Sequence, residues 1–261
     1  MALIDSFEKN GNILFKYRGQ IPLFIFILGI PFLYVSYFTD FYNLFYGNQS
    51  KVFWLTITIA SIFVSLLGII VRAYTIGTTP RGTSGRNTKH QVANELNTNG
   101  IYSIVRHPLY LGNYLMWAGL LAFTANISLF VIASLLFWLY YERIMFAEER
   151  FLEKKFGEKY MKWSLTVPAF IPSFRHFKKG NIPFSFKSVL RREYSGIFAI
   201  VFCFAVIDYL RYAAYVYQKN IHQPDWIRPS LFCLAGMLVI MLVLRTFKHH
   251  TKLLNPEENR D

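Results

Sequence analysis

The chain reads as an all-α protein: a polytopic membrane bundle of about six transmembrane helices with a tight helical hairpin at its core. Three observations predict this. Hydrophobic residues make up 54% of the 261 residues and charged residues only 16%, whereas a soluble domain carries about 25% charged residues. The apolar residues come in runs close to the ~20 residues a helix needs to cross a bilayer. Two of those runs are separated only by Thr124-Ala125-Asn126, which forces the flanking helices antiparallel. The same composition excludes a disordered chain, which stays open through low hydrophobicity. The only two cysteines, Cys203 and Cys233, lie inside apolar runs, where a cysteine is usually a small hydrophobe, so a disulfide scaffold is excluded too.

The expected spans cover residues 20–38, 52–76, a shorter 108–124, 126–146, 194–217 and 229–247. Residues 1–19 hold no long apolar core and no small-residue cleavage site, so they do not read as a cleaved signal peptide. Six spans put both termini on one side. Of 28 Lys and Arg, 24 fall on that side and 4 on the other, namely Lys51, Arg211, Lys219 and Arg228. Basic loops stay in the cytoplasm, so both termini are expected there. Most of the net charge of +13 is this asymmetry, and the rest suits anionic lipid. A bacterial inner membrane is the expected location, although an endoplasmic reticulum membrane fits the same signals.

Depth in the hairpin follows from mirror counting about Ala125. His107 lies 18 residues before it and Arg143 lies 18 after it, so both are expected at the cytoplasmic boundary. Helix periodicity places Glu142, Phe146 and Glu149 on one face. One region should therefore hold Arg106, His107, Tyr110, Glu142, Arg143, Glu148 and Glu149. Each has a plain structural reading when taken alone. The arginines could be interfacial anchors, His107-Pro108 could start a helix, and the glutamates could form a solvated face. Together they suggest a site, because packing a hairpin requires neither an acidic pair nor a histidine at one end.

The stretch from Gly100 to Gly112, GIYSIVRHPLYLG, resembles the cofactor signature of the isoprenylcysteine carboxyl methyltransferase family, to which phospholipid methyltransferases are similar. That signature reads Arg-His-Pro-x-Tyr-x-Gly, then a helical hairpin and a Glu-Glu pair, here Glu148-Glu149. A family-like tail follows in Phe156-Gly157-Glu158-Lys159-Tyr160, Val167-Pro168 and Ile171-Pro172. The resemblance spans residues 95–175, within a methyltransferase-like membrane domain of residues 1–179. Residues 180–261 are expected to form a linker and an accessory two-helix hairpin.

The resemblance implies an S-adenosylmethionine-dependent methyltransferase that binds its cofactor on the cytoplasmic side and acts on a membrane-embedded lipid or lipidated acceptor. Carried over by position, His107, Tyr110, Gly112 and Glu149 would line the cofactor pocket. Leu109 and Leu111 would supply backbone groups or packing, Glu148 would sit beside them, and Tyr160 would close the pocket. Glu149, Glu142, Arg143 and Arg106 are the candidate catalytic residues.

The chemistry agrees with these residue types. Carboxylates can meet the cofactor's ammonium or ribose hydroxyls, and histidine or arginine its carboxylate. Gly112 permits close approach of a helix or a ligand. Methyl transfer is an in-line displacement, so much of the catalysis can come from alignment in a dry site. An ionised carboxylate or phosphate acceptor needs no general base, whereas an amine would need one, such as Glu142 or Glu149. Arg106 and Arg143 favour an anionic acceptor. The block from Arg81 to His90, with Arg86 and Lys89, reads as a solvated loop or as a phosphate clamp.

Two other readings remain open. Intramembrane sterol reductases share the His-Pro-x-Tyr-x-Gly piece, but a carboxylate pair repels a polyphosphate cofactor. A scaffold or transporter would carry polar residues at mid-membrane depth in several spans. Asp208 and Arg211 are expected to pair near the outer end of span five. His222, His249 and His250 lack metal-ligand spacing, so no metal site is expected.

Overall fold

The computed structural model describes residues 2–38, 50–80 and 91–255. Among these residues the chain is helical and contains no strand. The Arg81–His90 block lies outside the described residues.

Helix α1 (Leu3–Lys16) was not among the expected elements. It is amphipathic, buries Gly11 and Phe15, and lies against helix α5 (Ile127–Phe156). A Cβ on Gly11 would stand 2.1 Å from the Arg143 carbonyl, so only glycine allows this approach. Leu3, Phe7, Gly11 and Leu14 recur at helical spacing, a signal too short for a span search but present. Helix α2 (Ile21–Phe38) and helix α3 (Lys51–Gly77) follow. The Ser50 hydroxyl caps α3 by accepting from the Phe53 amide at 3.2 Å, as an N-cap serine does.

Helix α4 (Pro108–Phe123) has Pro108 in its first turn, where the missing N–H costs nothing. The reversal into α5 uses Ala125 at φ +53°, and the Asn126 side chain caps α5 by accepting from Leu129 N at 2.9 Å. The end of α2 holds this turn: the Tyr37 hydroxyl donates to the Thr124 carbonyl at 2.6 Å and Asn126 donates to Ser36 at 3.1 Å. The expected tight hairpin is present. Yet α4 packs most closely on α3, through small residues. A Cβ on Gly119 would fall 2.3 Å from the Ser65 hydroxyl, and one on Gly68 would fall 2.6 Å from the Gly112 carbonyl. Small residues let apolar helices approach to backbone contact.

Helix α6 (Glu158–Ser164) is separated from α5 by Gly157 at φ +51°. Helix α7 (Phe186–Gln218) starts at an N-cap serine, Ser185. It therefore absorbs most of the expected 180–193 linker. Helix α8 (Pro229–His250) buries no residue although its mean hydropathy over a spanning window is 2.2. Among the described residues five helices, α2, α3, α5, α7 and α8, are long and apolar enough to cross a membrane. The sixth expected span, α4, has 16 residues, which reach only about 24 Å, and it is buried among its neighbours. Cys203 is buried as expected, but Cys233 is exposed on α8.

Asp208 does not pair with Arg211. It accepts from Arg228 at 3.2 Å and from the Ser230 hydroxyl at 2.7 Å. Arg211 instead donates to the Phe123 carbonyl at 3.1 Å and lies over the Trp54 ring at 4.3 Å. Partners from a facing element satisfied both groups better than a neighbour one turn away.

Candidate active site

The segment before α4 opens with a 3-10 turn at Gly100–Ser103 and is tied by backbone bonds to residues 168–178. Gly100 N donates to the Lys178 carbonyl at 2.8 Å, Arg106 N to Pro168 at 2.9 Å, and His107 N to Ala169 at 3.1 Å. Gly100 takes φ +60° to begin this segment. Arg106 and His107 are thus presented at the N-terminal end of α4, facing α5.

His107, only 6% exposed, meets both glutamates. Its Nε2 is 2.9 Å from Glu149 Oε1, and its Nδ1 is 3.5 Å from Glu148 Oε2. Arg106 Nη2 reaches the same Glu149 oxygen at 3.2 Å, and its Nη1 donates to the Ser164 carbonyl at 3.2 Å. The Tyr110 hydroxyl donates to Glu148 at 2.7 Å, and its ring stacks near His107. Tyr160 is buried in a cluster with Leu96, Trp163 and Val167. The Tyr160 hydroxyl and Arg106 Nε are buried without a hydrogen-bond partner among the described residues.

Burial alone would disfavour an imidazolium at His107, but the two glutamates outweigh it and raise its pKa above the ordinary value. Burial, then the charge of Glu149, push the Tyr160 phenol well above its usual range, so it stays protonated.

These groups line one end of a cavity of about 690 Å³, within the roughly 300–1,000 Å³ typical of small-molecule sites. Leu109 also lines it. The cavity continues past Asn113, Met116 and Trp117 of α4 to Ile200 and Cys203 of α7. It is therefore polar and charged at one end and apolar at the other.

Several expected site residues lie elsewhere. Glu142 is exposed and outside the cavity lining. The Arg143 guanidinium lies 3.4 Å above the Phe7 ring of α1. Gly112 faces α3, where a Cβ would stand 2.5 Å from Arg72 Cγ, and Leu111 is not part of the lining. Side-chain direction explains the shift in depth. Helical side chains lean toward their own N-terminus. In an antiparallel pair, His107 therefore reaches beyond its own level, while Glu148 and Glu149 lean back toward the turn. They meet one to two turns from Arg143, the level at which mirror counting put His107.

Other lining residues, Arg72 and Asn113, were not among the expected site residues. Arg72 of α3 bonds Glu193 of α7 through two contacts of 2.7 Å and also reaches Asn113. Asn113 in turn donates to the Tyr141 hydroxyl at 3.0 Å. A lone Arg inside span two and a Glu at the start of span five were the available hints, since ionisable groups in a span need partners. Among the described residues, no three His, Cys, Asp or Glu side chains are grouped so as to hold a metal ion.

Residues 55–159, from α3 into α6, match the phospholipid methyltransferase family model. The chain is 29% identical over 114 residues to protein-S-isoprenylcysteine O-methyltransferase of Schizosaccharomyces pombe, covering 41% of this chain and 48% of that protein. It is 28% identical over 142 residues to the Homo sapiens protein of that name, covering 52% and 48%. It is 33% identical over 122 residues to the nickel-cobalt-cadmium resistance protein NccN of Alcaligenes xylosoxydans xylosoxydans, covering 47% and 54%. The chain spans about half the length of these relatives. No solved structure matches it. Through the matched segment and the hairpin it carries, the chain is similar to the phospholipid and isoprenylcysteine methyltransferases.

Proposed function

We propose that the chain is an S-adenosylmethionine-dependent methyltransferase that modifies a membrane-embedded lipid or lipidated acceptor. The observation that carries this reading is the single cavity, with Arg106, His107, Tyr110, Glu148 and Glu149 at one end and apolar helix faces at the other. A water-soluble cofactor and a bilayer acceptor need such a meeting place. The basic-residue asymmetry puts the charged end on the cytoplasmic side, in a bacterial inner membrane, and bacterial relatives such as NccN support that location.

The residues fit the cofactor. Arg106 and Tyr160 line the cavity and carry buried donors that meet no hydrogen-bond partner of good geometry among the described residues, suited to a carboxylate or to ribose oxygens. Glu148 and Glu149 offer acceptors to an ammonium group, and Leu96, Tyr160 and Trp163 an apolar wall to the adenine. Two adjacent carboxylates disfavour a polyphosphate dinucleotide at the same place. When bound, S-adenosylmethionine would supply an electrophilic sulfonium methyl, with a neutral thioether as its leaving group, to an acceptor oxygen. The chain's own contribution is alignment and dryness. His107, held between Glu148 and Glu149, fixes both carboxylates, and Tyr160 and Trp163 exclude water. An anionic oxygen acceptor requires no base.

Calorimetry on detergent-purified protein tests the reading, with S-adenosylmethionine and S-adenosylhomocysteine as ligands and NADPH as control. Binding of the first two, lost in Glu149→Ala and His107→Ala while both variants stay folded, is the expected result. Binding of NADPH alone would replace this reading with a reductase.

A further inference from the structure

The α7 residues that line the cavity are Arg192, Gly196, Ala199, Ile200 and Cys203. Their spacing of i, i+4, i+7, i+8 and i+11 makes one helical stripe about 16 Å long. Helix α7 lies outside residues 55–159, so this wall belongs to this chain rather than to the matched family core. The stripe has a direction. Arg192 stands at the polar end, in the same cavity lining as Tyr102 and Arg106. Next comes space: a Cβ on Gly196 would meet nothing within 4 Å. Beyond lie Ala199, Ile200 and the buried Cys203, with Met116 and Trp117 on the cavity's α4 wall.

The orientation of this stripe is fixed by its neighbour in sequence. Glu193, 2% exposed, is bonded to Arg72 through both oxygens. Buried ion pairs are expensive to desolvate, and this one pins the first turns of α7 to α3 in a single rotation. A wall that runs from a guanidinium through empty space to apolar side chains matches an amphiphile lying along it. Arginine suits an oxyanion headgroup, and the cavity's carboxylates, Glu95, Glu148 and Glu149, stand on other elements than this stripe.

We propose that the α7 stripe is the acceptor subsite and takes an anionic lipid, with its phosphate or carboxylate at Arg192 and an apolar chain along Gly196, Ala199 and Ile200 toward Cys203. The proposal rests on the methyltransferase reading of the cavity and names its acceptor class.

The test uses the full chain in phosphatidylcholine nanodiscs. Each sample is doped with one photoactivatable probe: phosphatidic acid, a fatty acid, or neutral diacylglycerol. Cross-links are mapped by mass spectrometry, and S-adenosylmethionine affinity is measured on the same samples. An anionic probe is expected to label α7 or the Met116–Trp117 wall several-fold more than diacylglycerol does. Arg192→Gln should erase that preference. Gly196→Phe, whose side chain enters open space, should cut labelling of the stripe several-fold. Both variants should keep wild-type cofactor affinity. Preference between the two anions tells phosphate from carboxylate. Equal labelling by neutral and anionic probes, or labelling indifferent to both variants, overturns the subsite. Wild-type protein that labels as expected but binds no S-adenosylmethionine overturns the methyltransferase reading and leaves the lipid subsite standing.

Discussion

Two buried ionic clusters, made from the same residue types, behave oppositely. In the first, Arg72 and Glu193 meet through paired 2.7 Å contacts, and Arg72 also holds Asn113. In the second, a single oxygen of Glu149 serves both His107 and Arg106, while Arg106 Nε and the Tyr160 hydroxyl meet no hydrogen-bond partner of good geometry among the described residues. Glu193 is 2% exposed, whereas Glu148 and Glu149 are 24% and 26% exposed to the cavity. A saturated cluster has nothing left to offer a ligand and works as a brace. An unsaturated one on a cavity wall holds its binding capacity in reserve.

The largest expected effect tests the brace. Glu193→Ala strands the Arg72 charge and should cost about 3–5 kcal/mol of stability, read from detergent melts, while Arg72→Leu combined with Glu193→Leu recovers most of it. If the single variant melts like wild type, the brace is not one. Glu149→Ala should do the reverse, with a small change in melting and S-adenosylmethionine affinity down about 100-fold, since truncating a paired charge in a site costs about 2–5 kcal/mol of binding.

Glycine positions sharpen the same contrast. Gly119→Ala drives a methyl into Ser65 and the Ser61 backbone and should destabilise the fold by about 1–3 kcal/mol. For pH, the raised pKa of His107 means its contribution to stability is complete below the ordinary value of 6.5 and is lost as pH rises through the folded-state value. Wild-type melting temperature should therefore fall from pH 6.5 upward more steeply than that of His107→Gln; parallel slopes would remove His107 as the cause. The smallest effect is at Gly196, where nothing opposes a methyl. Gly196→Ala should be neutral or stabilise by up to ~1 kcal/mol, in opposition to Gly119→Ala.

Local signals made much of this readable beforehand. The run lengths, the three-residue turn at Thr124-Ala125-Asn126, and the Arg106–Gly112 motif with Glu148-Glu149 are all short-range patterns, and they anticipated the hairpin and the members of the charged cluster. Mirror counting brought in Glu142 and Arg143 because it levelled Cα atoms and ignored the lean of side chains. Helix α1 was overlooked because its apolar stripe is narrow and interrupted by Gly11, whose value lies in a contact with the Arg143 carbonyl. The pairing of Asp208 with Arg228 rather than Arg211 depended on a facing segment 20 residues away.

By itself, the sequence determined that the chain is helical and apolar enough for a bilayer, that two helices reverse at Ala125, and that an acidic pair and a histidine share one end. Those properties arise from hydropathy, from 3.6-residue periodicity and from turn length, which act over neighbouring residues. Only the tertiary structure decided that α4 seats on α3 through glycines and serines, that Arg72 reaches across 121 positions to Glu193, and that α7 closes the cavity with a stripe from Arg192 to Cys203. Those outcomes depend on the rotation of each helix about its axis, which is set by packing among helices that are all apolar, where hydrophobicity alone does not choose a face.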